Sequence, residues 1–293
     1  MLNILSVDLE EYFHPSEVQN SIPQSAWPTL AARAETGTRL LLDLLAEHDT
    51  IATFFIVGWV ARRHPKLVRE ILAAGHEIGC HSFDHRLVYQ LTASQFRADT
   101  VASRYAIEDA CGWSPKVYRA PSFSITKQSL WALEVLVECG FTHDSSICPI
   151  VHDRYGIPGF GRFAQLITTP SGPIVEVPVA TVKLFSSRLL PAGGGGYLRL
   201  LPYRYSAAAI RRINRTDKQP ACVYVHSWEM DTDQPRVASG VVSRIRTYGG
   251  LDGMHSKVRK LLEDFSFSTL TAVCTGAGFE NRPLQVHELS AIG

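Results

Sequence analysis

Short apolar runs rich in β-branched and aromatic residues alternate along the chain with stretches in which apolar residues recur every three to four positions, the pattern of parallel strands joined by crossover helices. Strands are expected at residues 4–9, 52–57, up to Cys80, 117–119, 174–179, 222–226 and 268–273, and helices at 38–48, 65–74, 94–110, 127–139, 206–214 and 256–264. Gly75 and Gly140 follow two of these helices, where glycine commonly closes the last turn. The order predicts an α/β fold and, from the number of units, a distorted or incomplete (β/α) barrel. Residues 149–173 and 191–202 are rich in Gly and Pro and read as long loops over one mouth of that barrel. The run Gly193-Gly194-Gly195-Gly196 lacks the Lys-Ser/Thr of a phosphate loop and suits a tight turn or a close approach of backbone to substrate.

Composition narrows the partners. Lys plus Arg total 29 against 28 for Asp plus Glu, so no global field exists to hold nucleic acid, and a neutral substrate fits better. The longest apolar stretches, such as 52–61, fall short of the roughly 20 residues that span a bilayer, and the first residues carry neither a basic region nor a long apolar one. A soluble, cytoplasmic protein is expected. The six cysteines form no C-x-x-C pair and read as reduced core residues.

Chemistry is concentrated where predicted strands end. His81 and His85 stand four residues apart, the spacing that puts two imidazoles on one face of a helical turn and lets them grip one metal ion. A third ligand is available in Asp8-Leu9-Glu10-Glu11, where alternation places Asp8 and Glu10 on the same side. With Glu10 as ligand the site holds two imidazoles and a carboxylate, and Asp8 is free to act as a base; Glu11 remains a competing ligand. Arg119, in Arg119-Ala120-Pro121-Ser122-Phe123, and His226, at the end of another strand, converge on the same mouth, His226 as a candidate general acid.

Taken in order, these segments resemble the five motifs of the NodB-homology polysaccharide deacetylases, carbohydrate esterase family 4: Asp8-Leu9-Glu10, His81 to His85, Arg119 to Phe123, Asp144-Ser145-Ser146 and Val225-His226. Further segments, among them Arg154 to Pro158, Gly193 to Tyr203 and His226-Ser227-Trp228-Glu229, are similar to the branch found with exosortase-linked exopolysaccharide loci. The first motif departs from the adjacent Asp-Asp of most members, since Leu9 intervenes and the second acid is Glu10. The resemblance implies one NodB-type catalytic domain over residues 1–279, a tail over 280–293, and Zn²⁺ or another first-row divalent metal held by Glu10, His81 and His85. It implies Asp8 as base, Arg119 pairing with Asp8, His226 as acid and Asp144 behind His226, raising its pKa. The implied reaction removes N-acetyl groups from amino sugars of a polysaccharide or its lipid-linked precursor. An amidohydrolase of small ureides or formamides on the same fold, and a non-catalytic carbohydrate-binding component of a polymer-synthesis complex, are the alternatives.

Overall fold

In the computed structural model, which describes residues 1–19, 21–183, 189–275 and 285–288, strand β1 (Leu2–Leu9) is buried at every position after the first. Such a strand must be covered on both faces, as a central parallel strand is. It pairs in parallel with β10 (Cys222–His226) on one edge and with β2 (Thr53–Ile56) on the other, and the parallel order continues through β3 (Glu77–Cys80), β4 (Val117–Tyr118), β5 (His143–Asp144) and β7 (Gly172–Glu176). β6 (Gln165–Thr169) is the antiparallel partner of β7 and carries β12 (Gln285–Glu288) at the sheet's far edge. β8 (Thr181–Lys183) and β9 (Leu189–Pro191) form a separate hairpin, and β11 (Ser266–Ser268) adds to the start of β1.

The helices follow in chain order: α1 (Ser16–Gln19), α2 (Ala34–Glu47), α3 (Gly58–Arg63), α4 (Pro65–Ala73), α5 (Ala93–Cys111), α6 (Trp131–Glu138), α7 (Gly195–Leu200), α8 (Tyr203–Arg212), α9 (Val241–Tyr248), α10 (Met254–Asp264) and α11 (Leu270–Thr275). Local signals set several of their ends. Thr92 and Gln95 close a capping box on α5, which stops at the left-handed Gly112, and Pro65 opens α4.

Period-two alternation sorts the strand side chains into two layers. Leu5, Val7 and Leu9 of β1 and Val223 and Val225 of β10 join the large cluster packed against the helices, whereas Ile4, Phe55, Val117, Cys222 and Tyr224 fill the inside of the curved sheet. Residues of this inner parity that lie further along their strands are polar: Ser6 and Asp8, then His226, which pairs with Asp8 in register. The barrel interior is therefore apolar at its base and chemical at the C-terminal mouth.

No ladder closes the sheet into a barrel among the described residues. Single hydrogen bonds bridge the gap between β7 and β10 instead, from Ala180 N–H to Cys222 O (2.9 Å) and from Tyr224 N–H to Gly193 O (2.6 Å). Gly194 occupies this seam at φ +132°, and a Cβ there would come within 1.8 Å of Tyr224 O. The glycine run thus serves an approach of backbone to backbone.

Three expectations are corrected. Residues 268–273 are not a strand: β11 ends at Ser268 because β2 occupies that edge of β1 from Ser6 onward, and Thr53 Oγ1 accepts the Leu270 N–H (2.7 Å) as α11 begins. The stretch 149–173 is not all loop, since β6 forms within it, and α7 forms within 191–202 despite its glycines. Of the tail at 280–293, Gln285–Glu288 form β12, and its other residues lie outside the described ones.

Candidate active site

The inner face of β1 and the turn after it supply the acids. Asp8 is the penultimate residue of the strand, and Glu10 follows its end with its backbone N–H donating to Ser227 Oγ (3.2 Å). One oxygen of Glu10 lies 3.1 Å from His81 Nε2 and 3.0 Å from His85 Nε2, and the other accepts from Trp228 Nε1 (3.3 Å). Burial alone would raise the Glu10 pKa, but the imidazoles of His85 and His81 hold it well below the usual carboxylate range.

The two histidines do not share a helical turn. His81 follows β3 directly and His85 sits in a loop whose backbone is left-handed at Ser82 (φ +64°) and at His85 itself (φ +53°). That strained loop is held from outside: Gly58 N–H and Ser103 Oγ donate to Ser82 O, and Asp99 accepts the Phe83 N–H. His81 Nδ1 meets Arg119 O at 2.7 Å, and Gln19 Nε2 donates to the His14 and His85 carbonyls. His14 stacks on His85 at 6.0 Å, and its burial beside that ring depresses its pKa and keeps it neutral. Gln19 carried no signal in the sequence beyond its nearness to Glu10.

Two imidazole nitrogens and a carboxylate oxygen, all within 4.8 Å of one another, form a donor set that suits a divalent ion with a further position left for water. Glu11 is not part of it. Its Oε2 accepts the Arg33 and Ala34 N–H groups (2.8 and 3.1 Å) at the start of α2, where a carboxylate meets unpaired amides. Its Oε1 lies 3.7 Å from His64.

Arg119, fully buried, donates from Nη1 to Asp8 Oδ1 (2.8 Å) and Ser6 Oγ (2.9 Å) and from Nη2 to Ser145 Oγ (2.9 Å), and lies over the Phe55 ring at 4.2 Å. Asp8 Oδ2 faces His226 Nε2 across 3.9 Å. On its other side His226 Nδ1 lies 3.2 Å from Glu229 Oε2, and Glu229 Oε1 is held by Arg199 Nε (3.0 Å). Burial would lower the His226 pKa, but the charges of Glu229, Glu10 and Asp8 together raise it to about 9. Trp228 stacks on the His226 ring at 5.1 Å.

Asp144 does not stand behind His226, and strand parity explains why. Asp144 pairs in register with Tyr118, whose side chain joins the helix-facing layer, so Asp144 points away from the barrel interior. It is paired there with Glu176 of β7 and accepts from Ser146 Oγ (2.5 Å), and burial raises both carboxyl pKa values. The inner position belongs to Ser145, which holds Arg119. The place expected for Asp144 is filled by Glu229, three residues past His226, a spacing that the sequence displays but that gains meaning only once the chain turns at Ser227.

Asp8, Glu10, His85 and His226 line a cavity of about 380 Å³, with Ser122 and Tyr197 further along its walls. A family model described as Polysaccharide deacetylase matches residues 24–142, which include His81, His85 and Arg119, and a second, Domain of unknown function (DUF3473), matches 145–275, which include His226 and Glu229. Over 98 residues, a third of this chain, the sequence is 32% identical to peptidoglycan-N-acetylglucosamine deacetylase of Bacillus cereus, and over 97 residues 30% identical to chitooligosaccharide deacetylase of Bradyrhizobium sp.. The chain spans 36% and 42% of those relatives' lengths. A solved structure from Mycobacterium smegmatis, described as a polysaccharide deacetylase, superimposes with a TM-score of 0.62 at 17% identity, over 97% of this chain and 92% of that one. Residues 24–142 therefore match a polysaccharide deacetylase domain, the kind found in NodB-homology proteins of carbohydrate esterase family 4, and the chain has a mixed α/β fold built around a parallel sheet.

Proposed function

We propose that the protein is a metal-dependent hydrolase that removes N-acetyl groups from amino sugars of a polysaccharide or its lipid-linked precursor. The observation that carries this reading is the convergence of Glu10, His81 and His85 on one point, with Asp8 and His226 facing each other beside it. A divalent metal held there, Zn²⁺ or another first-row ion, would supply Lewis acidity to the acetyl carbonyl and to a water.

The remaining work falls to the chain's own groups. Asp8, oriented by Arg119, accepts the proton of the attacking water. His226, kept as an imidazolium by Glu229, donates a proton to the departing amine, which leaves poorly as an anion. Ser122, left-handed at φ +50° on the cavity wall, presents its backbone N–H as the donor for the developing oxyanion. Trp228 and Phe123 wall the space for the acetyl methyl.

Acetate release from N-acetylhexosamine oligomers by the metal-loaded protein, with a chelator control, tests the reading. Release that the chelator stops supports it, and no release from any N-acetylated oligomer or lipid-linked sugar refutes it.

A further inference from the structure

The cavity opens between the loop of residues 151–155, α1, α7 and α9, and the surface around this opening is unusually apolar. Val151, Leu200, Val241, Val242 and Ile245 are five of the eleven large hydrophobic side chains exposed among the described residues, from 46% at Leu200 to 74% at Val241. Leu200 lines the cavity, Val151 precedes the cavity residue His152, and the other three belong to the helix that brings Arg246 to the wall. Clustering of this kind marks an interaction surface, since scattered single residues would need no explanation.

Helix α9 buries only Thr247, so its valines and isoleucine contribute nothing to the core. Ser243 Oγ ties it to α1 through the Glu17 carbonyl (2.8 Å). Arg236, Arg244 and Arg246 stand among the apolar side chains, and no carboxylate pairs with any of them among the described residues. Of the acids of the rim, Glu17 is matched by Arg154, and Asp153 stands 3.0 Å from His152.

We propose that this rim is a docking surface for the anionic face of a lipid bilayer, with Val241, Val242 and Ile245 entering the interface and the arginines meeting phosphates. Apolar area and basic charge on one short helix are the two contributions that hold a protein on such a surface. A second copy of the chain fits less well, because an isologous contact would bring the unpaired arginines against their own counterparts. Docked this way, the cavity opens toward a glycan displayed on a lipid carrier; that consequence rests on the deacetylase reading, whereas the docking does not.

Flotation of the full chain with phosphatidylcholine vesicles, with and without phosphatidylglycerol, tests the proposal. The protein is expected to float with the anionic vesicles, less so as salt is raised, and to stay behind with phosphatidylcholine alone. Arg244→Ala should lower partitioning roughly fivefold, and Val242→Glu combined with Ile245→Glu should abolish it, while both variants hydrolyse a soluble N-acetylated oligosaccharide at the parent's rate. A parent that does not float, or variants that float like the parent, would overturn the proposal. So would a dimer in sedimentation velocity that Ile245→Glu splits, with no vesicle binding. Flotation without any deacetylation would uphold the docking and remove the proposed function.

Discussion

At the scale of single residues, the arrangement rests on which carboxylate serves which partner. Glu229 and not Asp144 faces His226, so Glu229→Gln removes the leading charge that raises the His226 pKa to about 9. His226 must be protonated to donate, and its contribution is lost as pH rises through its pKa, so the variant's rate should fall off at lower pH on the alkaline side while its acid side is unchanged. Asp144→Asn should leave that alkaline limb where it is, because Asp144 lies on the other face of the sheet; a pH profile of the two variants side by side checks both statements. Glu11→Gln is expected to cost about 1 kcal/mol of stability through the lost cap on α2, with metal content at the parent level. A thermal melt and elemental analysis would show this, and loss of the metal would return Glu11 to the ligand set.

Elements decide where those residues can stand. The strands ending at Leu9, Cys80 and His226 were legible because each is a short apolar run that gives way abruptly to polar groups, and the helices over 65–74 and 94–110 because their punctuation by Pro, Thr and Gly is local. What could not be read depends on neighbours distant in sequence. The spacing of His81 and His85 imitates a helix, yet the backbone there is a left-handed loop fixed by α3 and α5. β6 carries only one buried aliphatic residue, Ile167, and its strand character comes from pairing with β7. Gly194 is the clearest case, since its need for an absent side chain appears only when β10 lies against it. Gly194→Ala should therefore destabilise the protein by about 2 kcal/mol or more through overpacking and backbone strain and reduce activity by displacing the strand that carries His226. Denaturant unfolding that matches the parent would contradict this.

For the whole molecule, the two matched segments are one sheet, and the candidate site is assembled from both together with β1, which precedes them. The expected fold class held, although closure of the barrel is replaced by isolated hydrogen bonds along the glycine seam. All six cysteines are free, and burial pushes the Cys80, Cys148 and Cys274 thiols up to about 12, so these three should resist alkylation in the native protein and react after unfolding without reductant. The central claim is that one metal centre and one acid–base pair share Glu10's surroundings but divide the work. Metal content and acetate release measured together for the parent, Asp8→Asn and Glu10→Gln test it most directly. Asp8→Asn should keep about one metal per chain and lose activity by roughly 10² or more, whereas Glu10→Gln should lose metal and activity together. Metal lost from Asp8→Asn and kept by Glu10→Gln would reverse the two roles, and activity unchanged in both would contradict the account.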